Sequence, residues 1–546
     1  MQTRFPQVSL FRASLLISAV FLALTLPLAF ERPSGGRSAE RQGFTAGQIR
    51  IFCQEPEHSI LKGPQIHFGK NPFTLELPVF EWLQGVSARL IGGPECEAVE
   101  PVGKVFSIVV SVLALFVIAF VASELWGAQA GVLAALLLGT QELWLRYSTY
   151  TMIENRVLLC GLLGIWFSLK RMKFGAFLFW TLTIVQKPQI FVFCAVFWFV
   201  AELLRRRKRS AWIHVDERRM LYCVGLAFAI GVAWNLFSTS VNVSSDLPWT
   251  VQTGPRARQW YFGNWADRFT PVFWKSLALD WFKYSSLAFA LPGFFLLALI
   301  AKERRGLVKQ LEKLVLRALP LLVAFVVYKF LFFAVYVVHE YYALPLTVGR
   351  ALASAGVLAF VLEHTAHSKS ARRGALALVV GVVAVSVISG VSRYVAFARE
   401  IGNPKKDFYH KAWNVRVFPE KAEMVVMAIP EARGHNLLHL YLAKQRGFVW
   451  CAENKAFAPR AFWKAHGIDH IAWAEGIDPK TGLFRFTVRT IDEELALARK
   501  KGWSSDVGDV WKGRSMAEWA LIASHTGKDP CEQGGEDPRT WPAVGR

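Results

Sequence analysis

Apolar stretches of roughly 17 to 25 residues recur along this chain as far as about residue 395. A segment of that length spans the hydrocarbon layer as a helix, and lipid admits few other backbone solutions. With 53% hydrophobic residues over 546 positions, the chain reads as a polytopic α-helical membrane protein rather than a string of soluble domains. Eleven candidate spans lie near 9–30, 104–125, 127–145, 155–170, 173–186, 188–204, 219–238, 285–301, 316–338, 343–363 and 374–395. The short pair 173–186 and 188–204 is divided by Lys187-Pro188. Proline interrupts a helix, so one re-entrant unit is an alternative there. The first run, Ala13 to Phe30, follows Arg4 and Arg12 in the manner of a signal peptide. No clear small-x-small cleavage site precedes Glu31, so an uncleaved first helix is expected.

The net charge of +22 would suit nucleic acid if it were spread over a surface. Instead the densest basic clusters lie at span ends: KRMK (170–173), RRRKRSAWIHVDERR (205–219), KERRGLVKQLEK (302–313) and HSKSARR (367–373). Threading the spans with the N-terminus inside puts all four in the cytoplasm. The charge therefore reports topology, and no nucleic-acid partner is expected. The opposite side receives 31–103, 146–154, 239–284, the turn at His339-Glu340-Tyr341-Tyr342 and everything after about 396.

Cys53 and Cys96 share the first outer loop, and Cys451 and Cys531 share the tail. An oxidising compartment would pair them locally, against the alternative of four free thiols. Cys160, Cys194 and Cys223 lie in spans. Asn242-Val243-Ser244 reads as a glycosylation sequon.

The first outer loop opens with short alternating pieces, GQIRIFCQEP and PQIHFG. NPFTLELPVFEWLQGVSARLIGG then reads as an extended segment leading into an amphipathic helix. Its apolar residues Val79, Phe80, Leu83, Val86 and Leu90 recur at helical spacing, as in a helix lying in the membrane interface. Loop 239–284 is rich in tryptophan and tyrosine, which favour the headgroup level. The tail alternates strands (AEMVVMAIP, FVWCAE, DHIAWAE) with helices (NLLHLYLAKQRG, APRAFWKAHGI), the pattern of a small α/β domain. The expected division is a membrane domain over 1–398 and an extracytoplasmic α/β domain over 399–546.

Ionisable groups from four segments reach one depth on the outer face: Glu76, Glu154 with Asn155 and Arg156, Lys187 between Gln186 and Gln189, and His339 with Glu340. Such groups at a bilayer edge mark a functional site. Each has a plainer role beside it: Glu154 complements a helix N-terminus, Lys187 snorkels, and Tyr341 and Tyr342 form an interface belt. Carboxylates activate an acceptor hydroxyl or amine, and cations hold a phosphate leaving group. No Gly-rich phosphate loop, zinc-ligand spacing or nucleophile elbow occurs. The outer acids could hold a divalent cation, but no carboxylate-x-carboxylate pair marks one.

The order of these pieces resembles the GT-C superfamily of polyprenyl-phosphate-sugar-dependent glycosyltransferases, in particular its protein mannosyltransferase-like and lipid A aminoarabinose transferase-like branch. The segments that carry the resemblance are ERQGFTAGQIRIF, FTLELPVFEWLQGVSARLIG, YTMIENRVLL, VQKPQIFVF, HEYYALPLTVGRAL and, in the tail, LLHLYLAKQRGFVW. The resemblance implies a sugar donor on a polyprenyl phosphate, usually undecaprenyl phosphate, in a bacterial inner membrane, with an extracytoplasmic lipid, glycan or protein as acceptor. It implies that Glu76, Glu154 or Glu40 serves catalysis, and that Arg41, Lys187, His339, Tyr341 and Tyr342 contact the donor. One position departs from the pattern. Relatives often carry an aspartate just before Thr-Ala as base, and here that place holds Phe44. A transporter or flippase of a lipid-linked substrate, or an impaired relative acting as a binding subunit, are the alternatives. The mostly apolar spans, with polar groups at their outer ends, favour chemistry at the surface.

Overall fold

The structure, a computed structural model, describes residues 7–30, 39–62, 74–206, 215–244, 261–278 (apart from 272 and 276), 304–333, 340–365, 369–401, 424–429, 446–451, 470–477 and 484–500. It separates into two compact units. One comprises Met1–Glu31, Lys104–Thr239 and Trp249–Ala398, the other Arg32–Gly103, Ser240–Pro248 and Arg399–Arg546.

The first unit is helical. Its elements are α1 (Gln7–Thr25), most of α4 (Val99–Trp126), α5 (Ala128–Gly139), α6 (Glu142–Ser148), α7 (Glu154–Leu169), α8 (Lys173–Gln186), α9 (Pro188–Arg206), most of α10 (Val215–Ser244), α11 (Arg304–Leu331), α12 (Leu344–His364) and α13 (Lys369–Ile401). Six helices among the described residues are long and apolar enough to cross a membrane, so the chain is a multi-pass helical membrane protein. The expected span 127–145 is not one helix. Thr140 closes α5, its hydroxyl donating to the Leu136 carbonyl at 2.8 Å, and α6 starts two residues later. The segments 173–186 and 188–204 are two helices joined by Lys187 alone, in extended conformation. The expected span 285–301 lies outside the described residues.

Packing runs from α1 onto α5, α5 onto α12, α12 onto α11 and α11 onto α9, which also meets α7 and α8. Small residues permit close approach, as usual between membrane helices. A Cβ on Gly349 of α12 would come within 2.3 Å of the Leu321 side chain and 2.7 Å of Phe193. The faces of α10 and α13 away from this core expose Tyr222, Leu226, Phe228, Leu236, Val380 and Ile388. Apolar exposure of this kind suits hydrocarbon.

Ion pairs lace one end of this bundle: Lys170 with Glu124, Arg171 with Glu202, and Arg317 with Glu363 at 2.8 Å. These residues come from the end of α4, the α7–α8 turn, the end of α9 and the facing parts of α11 and α12. The starts of α7, α9 and α12 therefore share the other end.

In the second unit, α2 (Ala39–Gln54) packs on α3 (Val79–Gly92). The piece GQIRIFCQEP, expected as a short alternating segment, belongs to the α2 helix as far as Gln54. Thr45, Gln48, Ile49, Phe52 and Cys53, at helical spacing, are all buried, and this overrides the local alternation. PQIHFG lies outside the described residues. The α3 helix forms where the sequence places it. It turns Gln84, Gly85 and Ala88 inward and exposes Leu83, Leu90 and Ile91. Gly85 is required by that contact, since a Cβ there would meet the Ile49 carbonyl at 2.8 Å and Phe52 Cβ at 2.6 Å. The Cys53–Cys96 disulfide forms as expected, and Arg89 closes the end of α2 by donating to the Cys53 and Gln54 carbonyls at 2.8 and 3.1 Å. Cys531 lies outside the described residues.

Asn242 is buried. Its side-chain oxygen accepts from the Thr74 backbone N–H and its amide donates to the Thr74 carbonyl, both at 2.8 Å. An amide so engaged does not serve as a glycan acceptor. Four strands, β1 (Met424–Ile429), β2 (Arg446–Cys451), β3 (His470–Ile477) and β4 (Phe484–Thr490), form a sheet in the order β2-β1-β3-β4. The first two pairings are parallel, and β3–β4 is antiparallel with an irregularity at Ala474/Gly476. The three strand segments named from the sequence coincide with β1 to β3. β4 and the helix α14 (Ile491–Lys500) were not foreseen. The helices expected in the tail lie outside the described residues, except that Arg446 and Gly447, the last two residues of NLLHLYLAKQRG, belong to β2.

Candidate functional site

At the bundle end where α7, α9 and α12 begin, Lys187 lies 2.6 Å from Glu154. Lys187 is the residue between α8 and α9, and Glu154 is the first residue of α7. Each suits its place locally. A cation complements the C-terminus of α8, and a carboxylate complements the N-terminus of α7. Both are almost fully buried, with side chains 5% and 2% exposed. The contact is an ion pair by distance rather than a directed hydrogen bond.

The Lys187 ammonium also lies over the rings of Tyr341 and Tyr342, at 5.1 and 5.0 Å from their centroids. These tyrosines occupy a 3-10 turn, Glu340–Ala343, directly before α12. Their rings are 4.7 Å apart, and Tyr328 of α11 pins the turn by donating to the Tyr342 carbonyl at 3.0 Å. Desolvated cation–π contacts of this kind contribute on the order of 2 kcal/mol each. Buried aromatics around a buried ion pair are a different environment from a lipid-facing belt.

The polar surroundings extend further. Asn155 donates to Ser111 of α4 at 2.7 Å, and Arg156, fully buried, lies over Phe106 at 5.4 Å. Gln186 and Gln189 are buried beside Lys187. Neither α7 nor α12 has a side-chain hydrogen bond at its N-cap, Ile153 and Ala343 being unable to supply one. First-turn N–H groups left uncapped by side chains are natural partners for an anion.

Two cations that sequence reasoning did not single out support this end. Arg146 of α6 pairs with Glu340, lies 3.7 Å from Glu142, and stacks over Tyr147 and Phe397 at 5.4 Å each. Arg268 is fully buried and donates to the carbonyls of Phe330 and Leu331 at the end of α11, and of Phe262 and Asn264 in its own loop. The aromatic loop is thereby tied to α11, with Trp265, Phe269 and Trp274 exposed. Neither arginine stands in a motif, and both are recognisable only from their partners.

The second unit holds a separate cluster. Arg41 donates to Glu76 at 2.7 Å, and its guanidinium lies 5.2 Å from the ring centroid of Phe44. The Phe44 ring thus serves as a platform, and the carboxylate beside Arg41 comes from Glu76. Glu40 lies in the first turn of α2, its side chain outside the described residues, and His339 is outside them entirely. Among the described residues, no group of three or more His, Cys, Asp or Glu side chains could hold a metal ion.

No protein-family model matches this chain, and no curated protein matches it by sequence. Its fold does match solved structures. ArnT from Cupriavidus metallidurans, bound to undecaprenyl phosphate, is 15% identical, with 89% of this chain and 94% of that one covered and a TM-score of 0.51. The apo form of the same protein gives 12%, 88%, 94% and 0.48. AglB from Archaeoglobus fulgidus, in complex with an inhibitory peptide and a dolichol-phosphate, gives 12%, 89%, 75% and 0.49. The likeness to ArnT is one of fold.

Proposed function

We propose that this chain is an integral-membrane glycosyltransferase that moves a sugar from a polyprenyl phosphate to an acceptor outside the cytoplasm. The observation that carries the reading is the buried Lys187 ammonium, held between Glu154 and the faces of Tyr341 and Tyr342 where three helices begin. A cation in that setting suits the phosphate of a lipid whose tail stays in the bilayer. The bound lipid in the ArnT structure is of that chemical class. The Tyr341 and Tyr342 rings shape the cation's surroundings and exclude water from it.

In the proposed reaction an acceptor hydroxyl or amine attacks the anomeric carbon with inversion. The bond from that carbon to the phosphate oxygen breaks, and its electron pair leaves with the phosphate, where Lys187 stabilises the charge. The acceptor's proton passes to a carboxylate, for which Glu154 is our candidate. Undecaprenyl phosphate is the proposed carrier. A bacterial inner membrane is the proposed location, and the basic span ends support a cytoplasmic N-terminus.

The test is transfer of radiolabelled sugar from a polyprenyl-phosphate donor by the purified chain in proteoliposomes. Lys187→Ala is expected to lower kcat/KM by about a hundredfold or more, the scale of losing one charge-stabilising donor. Glu76→Gln, in the same assay, measures what the Arg41–Glu76 cluster adds. Wild-type rates in Lys187→Ala would overturn the site, and translocation of the lipid without sugar transfer would overturn the reaction.

A further inference from the structure

We propose that Arg268 is a positioning residue for the donor site, acting through Tyr328 on the turn that holds Tyr341 and Tyr342 over Lys187. The proposal rests on the phosphate site proposed above.

Arg268 belongs to a 3-10 turn, Trp265–Phe269, yet half of its hydrogen-bond partners lie in α11. Its Nε donates to the Phe330 carbonyl and its Nη2 to the Leu331 carbonyl at 3.2 Å. Nη1 donates to the Asn264 carbonyl at 2.9 Å, and Nη2 also donates to that of Phe262. Phe330 and Leu331 are the last two residues of α11. The last carbonyls of a helix have no partner within it, and at a bilayer edge water is a poor substitute. A guanidinium brings the favoured charge to that end, and its planar fork can serve two segments at once. An ammonium is a point donor and cannot span the same four carbonyls. The guanidinium carbon also lies 4.2 Å from the Trp265 ring centroid and 5.7 Å from that of Phe330, so rings of both segments hold it in place.

The clamped carbonyls lie within one helical turn of Tyr328. The Tyr328 carbonyl accepts from the Phe332 N–H at 3.0 Å. Its ring packs against Phe193 of α9 and Phe332, with centroids 5.8 and 5.7 Å away. Its hydroxyl donates to the Tyr342 carbonyl at 3.0 Å. Phe332 in turn stacks on Phe262 at 5.9 Å, and the Phe262 carbonyl is one that Arg268 holds. Loop, helix end and tyrosine turn are thus joined through one guanidinium. When the last turn of α11 loosens, the Tyr328 hydroxyl shifts against Tyr342, and the two rings shift against the Lys187 ammonium. Both the cation–π contacts and the stabilisation of a phosphate depend on that placement. A mere tether for the loop would affect stability and leave the cation as it is.

In the test, undecaprenyl phosphate, with undecaprenol as its uncharged counterpart, is titrated into the purified full-length protein in detergent. Arg268→Lys keeps the charge and loses the fork, whereas Tyr328→Phe loses only the hydroxyl. Each is expected to weaken undecaprenyl phosphate binding by about fivefold or more and to leave undecaprenol binding unchanged. The double variant is expected to bind no more weakly than the weaker single variant, because both changes break one connection. Trp180→Phe loses a hydrogen bond to Ser168 near the end of α7, away from the donor site. It is expected to lower Tm with wild-type phosphate affinity; a loss of affinity as large as that of Arg268→Lys would assign the effect to stability and overturn the proposal. Wild-type phosphate affinity in either Arg268→Lys or Tyr328→Phe would overturn it too, whatever the Tm. Losses that multiply in the double variant would do the same, since the two residues then act independently. An equal loss with undecaprenol would trace the effect to the loop's apolar surface, again against the proposal. Should Arg268→Lys fail to fold, Tyr328→Phe still decides, because wild-type affinity there breaks the path from Arg268 to the turn. If Lys187→Ala binds the phosphate lipid as well as wild type does, the phosphate site itself is wrong, a result distinct from failure of the positioning.

Discussion

Arg146 pairs with Glu340 and stacks on Tyr147 and Phe397, so it fixes the turn that carries Tyr341 and Tyr342 over Lys187. Its partner is partly exposed, which limits the contribution of the charge; the stacking adds to it. Arg146→Ala is expected to cost about 1–2 kcal/mol, read as a lower Tm in detergent, and to reduce transfer. Arg146→Glu with Glu340→Arg is expected to recover part of both losses relative to either single change. No recovery would mean that the rings, not the charge pair, hold the turn. The residues of the Lys187 cluster were legible one by one in the sequence: a lysine before a proline, an acid at a span start, a Tyr-Tyr pair ending an apolar run. Their pairing was not, because it depends on which helix starts meet across the bundle. Phe44 was legible as a departure but not as a platform, since nothing in its neighbours announces that Arg41 lies over it and turns to Glu76.

Among the elements, the amphipathic α3 and the break at Lys187-Pro188 followed directly from periodicity and proline chemistry. The α2 helix did not, because Ile49-Arg50-Ile51 alternates over the few residues where a strand and a buried helix look alike. The break between α5 and α6 was hidden too, since Thr140 and Gln141 are ordinary within a helix until one of them caps it. The start of α14 carries a legible signal, Thr490-Ile491-Asp492-Glu493. Glu493 accepts from the Thr490 N–H at 2.9 Å, and Thr490 accepts from the Glu493 N–H at 3.1 Å, a capping box. Thr490→Ala is expected to destabilise α14 by about 1 kcal/mol, seen as faster amide hydrogen exchange over residues 491–500 in the full-length protein. The Thr490 N–H, and then its hydroxyl, hold the Glu493 carboxyl below the ordinary carboxylate range. That contribution is present above the ordinary carboxylate pKa and is lost as pH falls through the lowered one. Acidification should therefore weaken the wild-type cap, and Glu493→Gln should remove this part of the pH response. An unchanged response in Glu493→Gln would assign it to another group.

For the whole molecule, membrane character and sidedness rest on different evidence. Length and apolarity give the spans. The basic ends support the proposed direction, and in the structure Lys170, Arg171 and Arg317 at that end are paired with acids. Pairing does not erase the signal, because orientation follows the count of lysine and arginine rather than net charge. With Cys160, Cys194, Cys223, Cys451 and Cys531 replaced, Ser210→Cys is expected to react with an impermeant thiol reagent only after the cells are opened, and Thr481→Cys in intact spheroplasts. The reverse pattern would invert the topology and move the Lys187 cluster to the cytoplasmic side. The number of spans was less legible than their existence, since α5, α7 and α8 are short and their sequences do not reveal how they combine.

The one-residue connection at Lys187 bears on how this chain can change length. α8 and α9 run back on each other, with Lys187 at one end and Arg171 beside Glu202 at the other. Inserting or deleting one residue at the connection would turn α9 by about 100° against its neighbours. The buried face of Phe193, Cys194 and Phe197 would point elsewhere, and Glu202 would lose Arg171. Substitutions there alter one side chain, whereas an indel alters the register of the whole helix. Relatives of this protein should therefore keep the length of the α8–α9 junction.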